Sequence, residues 1–226
     1  MVVSRSQAES YIRLGKVKVN GRIVTKTGTL VSEHNDISLR AEEQYVSRAG
    51  LKLASVAEAL SLDFRNKVVL DVGSSTGGFT DFSLKNGAKK VIAVDVGSNQ
   101  LHSSLRTNPA IELHEQTDIR NVGKLSSQAD LVVIDVSFIS LREILPHVAK
   151  LITKKCDVIA MVKPQFEAGN SKVKHRGIIK NEAIRRQILK DFEHWAKDFF
   201  VLTAKKDSDV SGEKGNRERF YRLRKV

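Results

Sequence analysis

The sequence predicts an α/β protein in which a doubly wound, mostly parallel sheet follows a small α+β module. Three observations lead to this prediction. From residue 47 onwards, short continuous apolar segments alternate with helical patterns, as in parallel sheets that are buried on both faces. A glycine-rich turn follows the first of these apolar segments. The first 40 residues have a different pattern, a helix followed by short strands.

The N-terminal module is predicted to span residues 1–44. Apolar side chains between Ala8 and Leu14 form a helical stripe, and Gly15 suits the end of that helix. Val17 and Val19 alternate with lysines, as in a half-buried strand, and Asn20-Gly21 indicates a tight hairpin turn.

The second domain is predicted to span residues 45–226 and to contain the parallel sheet. Its helices are expected after Ser47 and over residues 79–85, 144–152 and 181–196. A closing pair of strands predicts one antiparallel edge strand. The predicted strands are 68–70, 91–94, 111–114, 131–134, 158–162, 199–202 and 219–223.

Composition limits the class of protein. Of 226 residues, 41% are hydrophobic, which is enough to build a core. The single cysteine, Cys156, argues against disulfides and against a cysteine-based zinc site, and no metal site is predicted. The apolar segments are too short to span a bilayer, and the N-terminus lacks the apolar stretch of a signal peptide. We therefore expect a soluble, cytoplasmic protein without membrane insertion.

The positive charge is concentrated in two segments. The chain has 38 Lys and Arg against 26 Asp and Glu, a net charge of +12. Residues 1–30 contain six basic side chains and one acid, and residues 163–190 contain eight and two. Such clusters favour a polyanionic partner, usually nucleic acid, although solubility alone is an alternative explanation. The candidate RNA-binding residues of the module are Arg5, Arg13, Lys16, Lys18 and Arg22.

The glycine-rich turn predicts a nucleoside-containing cofactor. Its spacing is Gly-x-x-x-Gly-Gly rather than the dinucleotide pattern Gly-x-Gly-x-x-Gly. Asp71 before the turn would repel a pyrophosphate but could hold a cationic amino-acid group, and Asp95 after the next strand could accept hydrogen bonds from a ribose. The pattern therefore favours S-adenosylmethionine over NAD. The expected binding residues are Asp71, Gly73, Ser75, Gly77, Gly78, Phe79 and Asp95.

Two charged residues follow later strands. Asp135 and Lys163 each come directly after a buried strand, so they are expected at the same sheet edge as the glycine turn. A charged residue at a strand end is often only a solvated edge residue. Two of them beside a cofactor site favour catalysis, with Lys163 as base or orienting group.

The chain resembles the TlyA (hemolysin A) family, a group of FtsJ-like methyltransferases. The similar segments are Ser47–Leu53, Asp71–Phe79, Asp95–Leu101, Asp135–Leu141, Lys163–Phe166 and Gly215–Glu218. The segment Ser4–Gly21 resembles the RNA-binding module that a small-subunit ribosomal protein shares with pseudouridine synthases, and we expect it to lack the first helix of that module.

The resemblance implies a class I methyltransferase fold and ribose 2′-O-methylation of ribosomal RNA or ribosomal subunits. It also implies a Lys-Asp-Lys-Glu tetrad, which matches Lys52, Asp135, Lys163 and Glu218. The same resemblance implies that Asp118 faces the adenine of the cofactor. Without the family resemblance, Lys52 would be interpreted as an exposed helix lysine and Glu218 as a surface partner of nearby arginines.

Three other functions are weighed against this one. A non-catalytic protein that binds RNA or ribosomes would keep the fold without the chemistry, although the four tetrad residues argue against it. A membrane-active haemolysin lacks support, because the sequence has no spanning segment. An NAD oxidoreductase is disfavoured by Asp71 and by the glycine spacing.

Overall fold

The N-terminal module contains one helix and a small antiparallel sheet. A computed structural model describes residues 2, 5–40, 45–168, 177–212 and 215–226. The predicted Asn20-Gly21 turn is confirmed, because both residues have positive φ angles, 49° and 77°, between two paired strands. The sheet has the order β2-β1-β3. The elements are α1 (Arg5–Arg13), β1 (Val17–Val19), β2 (Arg22–Val24) and β3 (Ile37–Leu39).

Strands and helices alternate through the second domain, as predicted. Its first part contains α2 (Arg48–Ala57), β4 (Val68–Val72), α3 (Gly78–Lys85), β5 (Lys90–Val94), α4 (Ser103–Arg106), β6 (Ile111–His114) and β7 (Leu131–Ile134). Its second part contains α5 (Leu141–Leu151), β8 (Asp157–Val162), α6 (Pro164–Glu167), α7 (Glu182–Ala196), β9 (Phe200–Asp207) and β10 (Arg219–Lys225).

The large sheet has seven strands in the order β6-β5-β4-β7-β8-β10-β9. Strands β4 to β8 pair in parallel, and β10 runs antiparallel to both β8 and β9. The predicted α/β fold with an antiparallel edge is therefore confirmed. The last strand of the chain enters between β8 and β9, so that β9 forms the outer edge.

This insertion brings the start of β10 to the edge at which the parallel strands end. Arg219, the first residue of β10, is paired with Val162, the last residue of β8. Glu218 and Lys163 are the next residues along these two strands, and they therefore lie at the same edge. The topology thus brings together two residues that are 55 positions apart in the sequence.

Hydrophobic side chains cover both faces of the large sheet. One layer includes Leu145 of α5 and Phe192 of α7, and the other includes Leu53 of α2 and Phe82 of α3. Every residue of β7 and β8 is buried. This burial on both faces explains why these strands have continuous apolar sequences rather than alternating ones.

Several boundaries differ from the sequence predictions. Helix α5 begins at Leu141 because the Ser140 side chain accepts a hydrogen bond from the Arg142 N–H and caps the helix. Strand β9 continues to Asp207 because β10 pairs along its whole length. Helices α4 and α6 were not predicted, since four residues are too few to show helical periodicity.

The module packs onto the second domain through Tyr11 of α1. Tyr11 is only 1% exposed and belongs to the same hydrophobic cluster as Leu53 and Phe220. Its hydroxyl has no hydrogen-bond partner among the described residues, and burial raises its pKa. The division at residue 44 stays a prediction, because α1 shares a core with the domain that follows it.

Candidate active site

A cavity of about 470 Å³ lies where the parallel strands end. Open α/β sheets bind their ligands in this crevice. The ends of β4, β5 and β7 and the residues after them form much of its wall, and residues 117–120 after β6, with Ile144 of α5, complete it. Of the residues proposed from sequence, the wall contains Gly73, Ser75, Asp95, Asp118 and Asp135.

The glycine turn is pressed against neighbouring loops. Gly73 has a φ of +81°, and a Cβ at this residue would lie 2.6 Å from the Asp135 carbonyl oxygen. Gly77 has a φ of +92°, and a Cβ there would lie 2.5 Å from Leu105 Cδ1. Gly73 also lines the cavity, whereas Gly77 and Gly78 are not part of its wall. Close packing within the protein is therefore sufficient to explain why residue 77 is glycine, and no contact with a ligand is needed.

Asp95 presents a carboxylate that the backbone holds in one orientation. Its Oδ2 accepts a hydrogen bond from the Ser75 N–H at 2.8 Å, and its Oδ1 accepts one from the Gly97 N–H at 2.7 Å. A carboxylate has about four acceptor positions, so both oxygens can still accept from a ligand. This arrangement fits the two hydroxyls of a ribose.

Asp118 also lines the cavity and is paired with Arg120. The Arg120 Nη2 is 2.7 Å from Asp118 Oδ2, and hydrogen bonding from this guanidinium lowers the pKa of Asp118. Arg120 also lines the cavity and lies 3.1 Å from Glu143 on α5. The sequence analysis did not identify Arg120, because its position depends on a contact between two distant segments.

Asp71 lies behind the cavity rather than in its wall. It is fully buried, and its Oδ2 accepts a hydrogen bond from Thr80 Oγ1 at 2.6 Å. Its Oδ1 has no hydrogen-bond partner among the described residues. Burial, with a smaller effect of Asp135 and Asp95, raises the pKa of Asp71 to about 7. Direct contact between Asp71 and a ligand therefore stays a prediction.

The four predicted catalytic residues form two ion pairs. Lys163 Nζ lies 2.6 Å from Asp135 Oδ1 and donates a hydrogen bond to Ser137 Oγ at 2.7 Å. Lys52 Nζ lies 2.6 Å from Glu218 Oε2, and both of these side chains are buried. Lys52 is therefore not an exposed helix lysine, which is how it would be interpreted without the family resemblance.

The Lys163 pair lies between the large cavity and a smaller one. The smaller cavity has a volume of about 130 Å³, and its wall contains Lys163 and Phe79. The two cavities share Gly73, Ser75, Asp135 and Ser137. The two cavities therefore adjoin at the residues that contact Lys163, and Lys163 itself lines the smaller one.

Phe138 is a second residue that the sequence analysis did not single out. It lines the large cavity, yet its side chain is 92% exposed. Its φ of +66° is unusual for a bulky residue, and such conformations cluster at functional sites. The ring lies 5.4 Å from that of Phe166, which follows Lys163. The only sequence signal is an aromatic residue between two predicted elements.

The candidate RNA-binding residues of the module do not share one surface. Val19 pairs with Arg22, which places Arg22 and Lys18 on opposite faces of the small sheet. Lys16 is exposed. Arg5 pairs with Glu9 at 3.2 Å, and Arg13 lines a cleft of about 490 Å³ between the module and the second domain.

The second basic segment is only partly described. Lys172, Lys174 and Arg176 lie outside the described residues. Arg185 is buried and pairs with Asp207 at 2.8 Å, so this basic residue stabilises the fold instead of forming a surface. Across the described ranges, no helix combines the length and the hydropathy that crossing a membrane requires.

Comparisons with known proteins identify the families to which the two parts of the chain are similar. Residues 45–225 match the FtsJ-like methyltransferase family, and residues 1–37 match the S4 domain. The 23S rRNA (cytidine-2′-O)-methyltransferase TlyA of Campylobacter jejuni is 44% identical over 79% of this chain and 70% of its own. The 16S/23S rRNA (cytidine-2′-O)-methyltransferase TlyA of Mycobacterium tuberculosis is 35% identical over 98% of this chain and 84% of its own.

A solved structure of a hemolysin-named protein from Streptococcus thermophilus has the same fold. It superposes with a TM-score of 0.78 and is 37% identical, covering 99% of this chain and 83% of the other. The family match, the relatives and the strand-end site agree with one another. The chain belongs to the FtsJ-like methyltransferase family and has an S4 domain at its N-terminus.

Proposed function

We propose that this protein uses S-adenosylmethionine to methylate a ribose 2′-hydroxyl of ribosomal RNA. The observation that carries the proposal is the position of Lys163, whose Nζ is held by Asp135 and Ser137 where two cavities meet. Relatives that are named rRNA (cytidine-2′-O)-methyltransferases support the choice of RNA and of the ribose oxygen.

The large cavity would hold the cofactor. Asp95 would accept hydrogen bonds from its ribose, since backbone N–H groups already orient this carboxylate. Asp118 lines the same cavity and could accept a hydrogen bond from the adenine amino group. When bound, the cofactor supplies a methyl group on a sulfonium, which is an electrophile. The glycine turn would leave room for its amino-acid part beside Gly73.

Lys163 would act on the ribose hydroxyl. This hydroxyl is a weak nucleophile and must lose its proton as its oxygen bonds to the methyl carbon. With its amine neutral, Lys163 would accept that proton, and Asp135 would stabilise the resulting ammonium at 2.6 Å. Ser137 Oγ would keep the amine directed at the cavity. Holding oxygen and methyl in line would supply much of the rate enhancement.

Lys52 and Glu218 form the second ion pair of the proposed tetrad. Glu218 follows the loop that leads into β10 and lies beside Lys163 at the sheet edge, as the β8–β10 register shows. In its buried pair with Glu218, Lys52 would contribute positive charge near the oxygen that develops negative charge. Such a fixed charge needs little reorganisation during the reaction.

The RNA would reach this site through the cleft between the two domains. Arg13 of α1 and Arg48 of α2 both line the cleft, and neither pairs with an acid among the described residues. Gly212 is part of the same wall, and a Cβ on it would lie 2.8 Å from Glu218 Oε1. The cleft therefore extends from the S4 domain to the proposed tetrad, and its arginines suit phosphate groups.

The test of this function is transfer of a labelled methyl group to ribosomal particles or rRNA. The wild-type protein should label the RNA, and Lys163→Ala should abolish labelling while it still binds the cofactor. The matched control is Lys155→Ala, an exposed lysine at the opposite edge of the sheet. Cofactor binding by the wild type without any labelled RNA would favour the non-catalytic alternative.

A further inference from the structure

We propose that Glu167 is a positioning residue that holds Lys163 against Asp135. This inference rests on the proposed function, because it concerns how the reactive amine is kept in place. Glu167 is the last residue of α6, the short helix that begins directly after Lys163. It lies outside both cavities described above, so it would act through its neighbours rather than on a substrate.

The Glu167 carboxylate joins two active-site loops. Its Oε2 accepts a hydrogen bond from Ser140 Oγ at 2.6 Å, and its Oε1 accepts one from the Leu141 N–H at 2.7 Å. Ser140 and Leu141 lie at the start of α5, at the far end of the loop that carries Asp135. One buried side chain therefore ties the segment after β8 to the segment after β7.

The two segments are thus connected at both of their ends. Lys163 contacts Asp135 and Ser137 at the near end, and Glu167 holds the start of α5 at the far end. Phe138 and Phe166 lie between these two connections in sequence, and their ring centroids are 5.4 Å apart. A left-handed residue such as Phe138 persists only where its surroundings fix the backbone, and the far connection provides such a constraint.

The burial of Glu167 indicates that its hydrogen bonds to the start of α5 contribute to the site. Its side chain is almost completely buried, and that burial raises its pKa. Among the described residues its cationic partner is Arg142, whose Nε lies 3.7 Å from Oε2, too far for a hydrogen bond. A buried carboxylate with only this long ion pair is costly, and an apolar residue could fill the same space at lower cost. The hydrogen bonds to the loop of Asp135 are what an apolar residue could not provide.

The test compares the full-length wild type with Glu167→Ala, Glu167→Gln and Ser140→Ala. For each protein we would measure kcat and KM for rRNA, and the Kd for S-adenosylmethionine. The ¹⁵N resonance of the Lys163 side chain would be recorded on each variant without RNA, and assigned by its loss in Lys163→Arg. This resonance reports the Lys163 environment directly, and a residue with a general stabilising role would leave it unchanged.

Glu167→Ala should lower kcat about 10- to 100-fold and shift the Lys163 resonance, because a displacement of about 1 Å has effects of this size. KM and Kd should change by less than about 3-fold. Glu167→Gln keeps an acceptor for Leu141 and a partner for Ser140, so its kcat should stay within about 3-fold of wild type. The kcat of Ser140→Ala should lie between those of Glu167→Ala and Glu167→Gln.

A folded Glu167→Ala protein with wild-type kcat and an unshifted Lys163 resonance would overturn the proposal, as would a Gln variant as impaired as the Ala variant. If Glu167→Ala does not fold, the test rests on Ser140→Ala. An unchanged kcat and an unshifted Lys163 resonance in Ser140→Ala would overturn the proposal. A wild-type protein that transfers no methyl group would contradict the proposed function instead, and the resonance would still test the positioning.

Discussion

Asp71 shows how far burial alone can change the chemistry of one side chain. Sequence reasoning placed this carboxylate next to a cationic ligand group, because it immediately precedes the glycine turn. The structure places it behind that turn, where it is fully buried and bonded to Thr80. Its raised pKa follows from desolvation, which favours the neutral acid.

Asp71 should therefore make the stability of the protein depend on pH. Its pKa is about 7 in the folded protein against an ordinary value of 3.8. As the pH rises through this window, the unfolded chain releases a proton that the folded protein retains, so the free energy of unfolding falls. Above pH 7 the contribution of Asp71 to the free energy of unfolding no longer changes with pH.

Urea unfolding at pH 5 and pH 8 tests this prediction. The difference in unfolding free energy between wild type and Asp71→Asn should shift by roughly 1–3 kcal/mol in favour of the variant at the higher pH. Asp209→Asn, at an exposed carboxyl, is the control and should show little shift. Parallel pH profiles for wild type and Asp71→Asn would mean that Asp71 is ionised throughout.

At the scale of elements, the position of β10 decides the composition of the site. Because this strand enters between β8 and β9, Glu218 reaches the edge where Lys163 ends its strand. Helix α2 then brings Lys52 to within 2.6 Å of Glu218. The second ion pair thus depends on three elements that are far apart in sequence.

Breaking this pair should affect stability and catalysis separately. Lys52→Met or Glu218→Leu alone leaves one buried charge without its partner, so each should lower the unfolding free energy by about 3–5 kcal/mol. The double variant Lys52→Met/Glu218→Leu removes both charges and should recover most of that loss. Its kcat should stay low. Recovery of activity together with stability would show that the pair is only structural.

Sequence patterns were sufficient for the fold but only partly for the site. Continuous apolar strands and the Asn20-Gly21 turn are local signals, and both predicted the observed elements. Lys52 and Glu218 could be proposed only from family resemblance, since an isolated lysine in a helix does not reveal its burial. Arg120 was missed because its contact with Glu143 of α5 forms only on folding.

At the scale of the whole molecule, the S4 domain is docked rather than loosely tethered. Tyr11 is buried among residues of the second domain, including Leu53 of the helix that carries Lys52. RNA binding by the S4 domain would therefore place the substrate in a fixed relation to the proposed tetrad.

Tyr11 variants test the docking. Tyr11→Ala should lower the unfolding free energy by about 3–5 kcal/mol, as for other large aromatic side chains in cores. Tyr11→Phe should be neutral or stabilise the protein by about 1 kcal/mol, because the buried hydroxyl has no partner among the described residues. Chemical denaturation of the full chain measures both. A Tyr11→Ala protein as stable as wild type would mean that the module is not docked in solution.

The cleft lined by Arg13 and Arg48 should make RNA binding depend on salt concentration. If Arg13 and Arg48 bind phosphates, the variant Arg13→Ala/Arg48→Ala should reduce the slope of log K for RNA against log salt by about 1.4–1.8. Its affinity for the cofactor should not change. The control Lys154→Ala/Lys155→Ala removes two exposed charges at the opposite sheet edge. Equal slopes for the two double variants would argue against a phosphate site in the cleft.

The most direct test of the account is mass-spectrometric mapping of rRNA after reaction with S-adenosylmethionine and this protein. The account predicts at least one new ribose 2′-O-methyl group with the wild type and none with Lys163→Ala. A methyl group on a base, or unmodified RNA despite bound cofactor, would contradict it.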